Sequence, residues 1–218
     1  MQGRINHLFN IINSYIFCFK HLPFKQAKDC PILIDWKVKT YISSQATIII
    51  NNASKYCINI GCHNGSYGLR RAKTRFYIYD NAQVIFNGNT IISKGSIITA
   101  RNNASLSFGN NFFCNCNCNI IANKSIHLGD NTLMGWDITI LDSDGHKITY
   151  NEIEQENCKD IYIDDHCWIG SHSSILKGVK IDKNTIIPYG AIIHKSTNGN
   201  TNTIFMNKTL KNNVVWNY

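Results

Sequence analysis

Ile163, Ile169, Ile175, Ile181, Ile187 and Ile193 fall six residues apart without exception. Cys167, Ser173, Val179, Thr185 and Ala191, all small or β-branched, sit four residues after the first five of them. No α-helix holds a strict six-residue apolar period on one face, and a hairpin sheet does not hold it over five cycles. A three-sided coil does, with each side a short strand and a corner and the isoleucines stacked inside. Upstream, a larger unit carries the same information. Val84-x-Phe86, Leu106-x-Phe108, Ile126-x-Leu128, Ile161-x-Ile163 and Val179-x-Ile181 each adjoin a polar turn such as Asn87-Gly88-Asn89 or Gly129-Asp130-Asn131. The pattern predicts an all-β solenoid of parallel strands, in which one coil cannot bury its own core and stacking supplies the stability.

Successive units start 22, 20, 35 and 18 residues apart, so the long interval holds an insertion, placed at 142–160. It is polar and charged, and a loop thrown out of a rigid solenoid is a common place for function. Residues 1–41 read as a lead-in, 42–205 as the solenoid and 206–218 as a tail. Within the lead-in, Ile5, Leu8, Phe9, Ile12, Ile16 and Phe19 follow a helical period. That stripe is expected to pack on its own domain or on a neighbouring subunit. Lys20, His21, Lys25 and Lys28 behind it leave a peripheral membrane contact open.

Composition alters this picture only in part. Asparagine recurs throughout, in keeping with many corners that need left-handed backbone angles. The formal charge of +8 suits an anionic partner, but no nucleic-acid recognition motif accompanies it, so no nucleic acid is expected. The nine cysteines are odd in number, and the apolar N-terminal stretch is too short and too polar for a span or a secretion signal. The reading is a cytoplasmic protein with reduced thiols, its place at the inner face of the membrane left open. Cys114-x-Cys116-x-Cys118 lacks the usual zinc spacing and reads as core. His166 and His172, six apart, would lie on successive faces of one coil and so are not expected to share a metal.

The segment 128–148, LGDNTLMGWDITILDSDGHKI, resembles the catalytic segment of hexapeptide-repeat acyltransferases, most of all the capsular and lipopolysaccharide O-acetyltransferases. The segment 167–181, CWIGSHSSILKGVKI, is similar to the coil that follows their loop. Residues 22–27 (LPFKQA) and 31–34 (PILI) resemble the lead-in of the capsular members, and Val214, Val215 and Trp216 their terminal pattern. The resemblance implies a left-handed parallel β-helix, a homotrimer with active sites between subunits, and acetyl-coenzyme A as co-substrate without a metal. It implies an acetyl group transferred to a sugar hydroxyl of a surface polysaccharide or its precursor, the sugar or oligosaccharide being the acceptor.

His146, at the head of the insertion, matches the family's general base. An imidazole, neutral at pH 7, can take the hydroxyl proton as the oxygen attacks the thioester, while backbone amides steady the developing oxyanion. Asp142 and Asp144 flank it and could orient the ring, bind the acceptor or cap the turn. Asn117 matches an acceptor-contacting asparagine and is expected to face outward with Cys118 inward; it can equally be an exposed corner residue. Trp136 and Asp137 resemble a pair lining the acceptor groove, with a subunit contact as the other reading of the tryptophan. Trp168, Ser171, Tyr189, Gly190, Ala191, His194 and Lys195 match positions along the coenzyme, and Lys208 and Lys211 stand where the family has basic tail residues. The tail departs from the family at 204–208, where Gly-Asn-Pro is usual, and Pro188 replaces a common glycine. An amino-sugar N-acyltransferase and a non-catalytic scaffold subunit are the alternative readings.

Overall fold

A computed structural model describes residues 2–65, 73–197, 199, 203–205 and 210–211. Among the described residues, twenty-four short strands follow two helices, α1 (Gln2–His21) and α2 (Phe24–Ala27). The coils run as triplets. The first is β1 (Ile32–Ile34), β2 (Lys39–Ile42) and β3 (Thr47–Ile50); the second is β4 (Ile58–Ile60), β5 (Arg75–Ile78) and β6 (Gln83–Phe86). Next come β7 (Thr90–Ile92), β8 (Ile97–Ala100) and β9 (Ser105–Phe108), then β10 (Phe112–Cys114), β11 (Asn119–Ala122) and β12 (Ser125–Leu128). The fifth coil has β13 (Leu133–Met134) and β14 (Thr139–Leu141), then a hairpin of β15 (Thr149–Tyr150) and β16 (Ile153–Glu154), and closes with β17 (Ile161–Ile163). The sixth is β18 (Trp168–Ile169), β19 (Ser174–Leu176) and β20 (Lys180–Ile181). Last come β21 (Thr185–Ile187), β22 (Ile192–Ile193), β23 (Thr203–Phe205) and β24 (Leu210–Lys211).

Up to β14 every third strand joins the same sheet, and after the separate β15–β16 hairpin the same order resumes from β17 to β22. Sheet I holds β1, β4, β7, β10, β13, β18, β21, β23 and β24; sheet II holds β2, β5, β8, β11, β14, β19 and β22; sheet III holds β3, β6, β9, β12, β17 and β20. Apart from the β23–β24 pair, the neighbours within these sheets are parallel, and the whole is a left-handed, three-sided β-helix. Stacked partners keep register, so Leu128, Ile163 and Ile181 form one internal column. Such columns are fully buried, each isoleucine contributing roughly 1.5–3 kcal/mol. Phe76, Phe86, Phe108 and Phe112 are buried in the earlier coils, with Phe86 and Phe108 stacked at 5.2 Å.

The corners explain the asparagines. Among the described residues, eight of the fourteen non-glycine positions at positive φ are Asn. Their side chains also tie coils together: Asn89 donates to Asn111 and Asn111 to Asn131 at 3.3 and 3.2 Å. Cys114, Cys116 and Cys118 all have their thiols buried, and burial pushes the Cys116 and Cys118 thiols up. Cys118 faces the interior as expected. The thiol of Cys116 donates to the Asn64 carbonyl at 2.9 Å, covered by a second insertion between β4 and β5.

Two features differ from the reading of the repeats. The stack starts at Ile32 rather than at 42, because β1 already pairs with β4. The apolar stripe of α1 points away from the chain's own core: Leu8 is 58% and Ile16 61% exposed, while Asn10, Ser14, Phe17 and Cys18 are buried. The first coil has an open edge, and unpaired backbone donors there need partners. The Ile34 N–H donates to Ser14 Oγ at 2.8 Å, the Trp36 N–H to Asn10 Oδ1 at 3.0 Å, and Gln26 Nε2 to the Ile50 carbonyl at 3.1 Å. Helix α1 turns Asn10 and Ser14 inward, beside Phe17 and Cys18, to close the end of the solenoid.

On the outer face of sheet III, His127 stacks on Tyr162 at 4.5 Å, and its Nδ1 meets Ser107 Oγ at 2.8 Å. Burial pushes its pKa below the ordinary value, outweighing the pull of Asp165, Asp164 and Asp130. The unfolded chain therefore takes up this proton first. The resulting stability is present above the unfolded value of about 6.5 and is lost as pH falls below it. Urea midpoints should drop between about pH 7.5 and 5.5, and the drop should shrink in His127→Gln. An equal drop in both proteins would remove the assignment.

Candidate active site

At the corner from sheet I to sheet II, successive coils stack Asn117, Asp137, His172 and Gly190, all at positive φ. Each bonds to the coil before it: the N–H groups of Asn117, Asp137, His172 and Gly190 donate to the carbonyls of Lys94, Cys116, Trp136 and Ser171. Asp137 Oδ2 lies 3.7 Å from His172 Nε2, and the His172 ring packs on Tyr189 at 5.0 Å. Ser171 Oγ accepts the Trp136 N–H at 3.1 Å. Asn117 Oδ1 is buried with no hydrogen-bond partner among the described residues. A buried acceptor in that state is costly unless a ligand supplies the donor.

Beside this corner, the outer face of sheet I carries a ladder of apolar residues between the inward ones. Phe113, Leu133, Trp168 and Ile186 stand in register on β10, β13, β18 and β21. With Asn115, Trp136, Ser171, Pro188 and Tyr189 they line a cavity of about 400 Å³. Three of the residues expected along the coenzyme, Trp168, Ser171 and Tyr189, are therefore together, and Trp136 adjoins them. Phe113, Leu133 and Ile186 were missed, because a search for repeated inward residues passes over the residue between them. Gly190 sits exposed at the corner below. The side chain of Ala191 is a correction: it is 6% exposed and faces the interior, with its C=O accepting the Ser174 N–H of the preceding coil and its N–H directed to the Pro188 carbonyl and Ser173 Oγ.

His146 stands elsewhere, at the corner from sheet II to sheet III. The chain leaves at Asp142, returns at 160, and is zipped at its base by the Ser143–Cys158 bridge and the bond from the Asp144 N–H to the Asn157 carbonyl. Lys177 braces both legs, pairing with Asp144 at 2.5 Å and donating to the Glu156 carbonyl at 2.5 Å. Beyond the base, β15 and β16 pair antiparallel, and Lys147 meets Glu154 at 3.0 Å. His146 is thus exposed on a segment held from both sides.

Of the roles open to Asp142, the structure fills the capping one. It is fully buried and accepts the backbone N–H groups of Asn123, Lys124 and Ser125. Asp144 is committed to Lys177. His194 and Lys195 follow β22 of sheet II and so share the corner of the hairpin, away from the Trp168 cavity. Lys208 lies outside the described residues, as does the side chain of Lys211. The expected site residues therefore fall on two corners of the prism, one side apart.

No protein-family model matches the chain. It is 33% identical over 95 residues to the galactoside O-acetyltransferase of Escherichia coli K12, covering 42% of this chain and 46% of that protein. It is 28% identical over 90 residues to the galactoside O-acetyltransferase of Lactococcus lactis, covering 40% and 43%. The matches thus span less than half the length of these curated relatives. Among solved structures, the polysialic-acid-specific acetyltransferase NeuO superposes with a TM-score of 0.64 at 20% identity, over 86% of this chain and 76% of that one. The chain is similar in sequence to sugar O-acetyltransferases and shares with NeuO the left-handed β-helix fold.

Proposed function

We propose that this protein transfers an acetyl group from acetyl-coenzyme A to a hydroxyl of a surface-polysaccharide sugar or its precursor. The observation that carries the reading is the pairing of a braced hairpin bearing His146 with an apolar cavity one corner away. A volume of about 400 Å³ lined by Trp168, Tyr189 and Ile186 suits the slender pantetheine arm, whose methylene and methyl groups can lie along that apolar lining. His146 takes the acceptor proton as the hydroxyl oxygen attacks the thioester carbonyl; the C–S bond then breaks and coenzyme A leaves as the thiol, with no covalent enzyme intermediate.

The two corners of one chain face different directions, so the reading includes a homotrimer in which the hairpin of one subunit lies against the cavity of the next. His194 and Lys195, beside the hairpin, would then reach the coenzyme bound to that neighbour. The cytoplasm, where acetyl-coenzyme A is made and used, is the compartment the reaction needs.

Thiol release from acetyl-coenzyme A, measured with and without a panel of surface-polysaccharide oligosaccharides, tests the reading. Release that depends on one of the acceptors is expected. In the same assay Trp168→Ala should raise KM for acetyl-coenzyme A roughly tenfold or more through lost packing while leaving acceptor KM in place. Failure of the purified protein to bind coenzyme A at all would overturn the proposal.

A further inference from the structure

We propose that the N-terminal end of the solenoid docks on an anionic membrane surface through the outer face of α1. That face presents Ile5, Leu8, Phe9, Ile12, Ile16 and Phe19, each about half exposed or more. Trp36 and Phe24 extend it at either end, in ring contact with Phe9 at 5.6 Å and Phe19 at 6.0 Å. The buried face of the same helix is pinned to the first coil by Ser14 and Asn10, so the apolar stripe is held outward. A continuous apolar patch this long is unusual on a free surface.

Charge selects the partner. Residues 1–79 contain eleven Lys and Arg against two Asp, whereas the rest of the chain has eleven against twelve acidic residues. The positive surplus of the sequence therefore falls within its first 79 residues, which include α1. No acidic residue precedes Asp29, while Lys20, Lys25, Lys28 and Lys37 are exposed around the stripe. Asp35 is buried and bonded to the Lys37 N–H. An apolar stripe edged by lysines suits the boundary between acyl chains and anionic headgroups, and Trp36 with Lys37 over its ring fits the headgroup level. Among the described residues no helix is long and apolar enough to cross a membrane, which agrees with a helix lying in the surface. A second copy docked face to face through this stripe would set two lysine-rich rims against each other, an arrangement that like charges disfavour.

Flotation of the full-length protein with vesicles tests this. Binding is expected to phosphatidylglycerol mixed with phosphatidylcholine and not to phosphatidylcholine alone, and it should weaken as salt rises. Replacing Lys20, Lys25 and Lys28 by Gln should lower the partition coefficient roughly 100-fold. Leu8→Ser with Ile12→Ser, at exposed positions where folding is spared, should abolish binding. Unchanged flotation of the serine variant would overturn the proposal. So would wild-type protein that ignores anionic vesicles, particularly if the serine variant has a smaller sedimenting mass without lipid, the mark of a self-association face.

Discussion

Acetyl transfer by His146→Ala is expected to fall about 100- to 10,000-fold, the range over which a positioned general base accelerates a proton transfer. The loss should lie in kcat, with KM for acetyl-coenzyme A and the thermal midpoint unchanged. His146 is exposed on the hairpin and packs into no core, so its removal leaves neither a cavity nor an unpaired buried group. The hairpin base keeps its own bonds: Lys177 to Asp144 and to Glu156, and the Asp144 N–H to Asn157. The informative control is His172→Ala. His172 also has a carboxylate neighbour, Asp137 at 3.7 Å, and lies at the corner beside the cavity. Transfer that survives loss of His146 but not of His172 would move the base to that corner and make a single chain sufficient. Transfer lost only with His146 keeps the base on the hairpin, which then has to meet a cavity on another corner.

The isoleucine ladder from 163 to 193 made the later coils legible, because a buried isoleucine recurs every six residues there, with a small or β-branched buried residue four positions after each of the first five. Counting unit starts also located the hairpin, which leaves after β14 and returns before β17. The early coils were less legible for a physical reason. Between β4 and β5 the chain makes a second excursion, so Ile58 and Ile60 fall out of step with Phe76 and Ile78 although all four share one core. Helix α1 misled differently. An apolar stripe at helical spacing ordinarily turns toward the core. Here the inward face has to satisfy the backbone of an open first coil, and Asn10 and Ser14 do so. At the site, residue types were readable one at a time. What the sequence could not convey is that a six-residue period sends Asn117, Asp137 and Tyr189 to one corner and His146, His194 and Lys195 to the next.

Asp142 is the case in which geometry favours the turn-capping role among those the sequence left open, and its substitution carries the largest expected stability effect. Oδ1 accepts the Asn123 N–H at 2.7 Å and Asn123 Nδ2 at 3.3 Å; Oδ2 accepts the N–H groups of Lys124 and Ser125 at 2.8 and 2.9 Å. Asp142→Ala would strand three backbone donors where four charge-assisted bonds had been. Each stranded donor costs about 1–3 kcal/mol, and water entering the part-buried turn recovers some of it, so a loss of roughly 3–5 kcal/mol is expected in urea unfolding. Asp142→Asn should restore little. One of its two terminal atoms becomes an amide nitrogen, which donates, and either orientation sets that donor against backbone N–H groups. A catalytic Asp142 would behave in the opposite way, lowering kcat while leaving the unfolding midpoint where it was. The structural role lowers the midpoint first. It lowers activity only as the corner that carries the hairpin loosens, so the activity remaining at low temperature should follow the folded fraction in both variants.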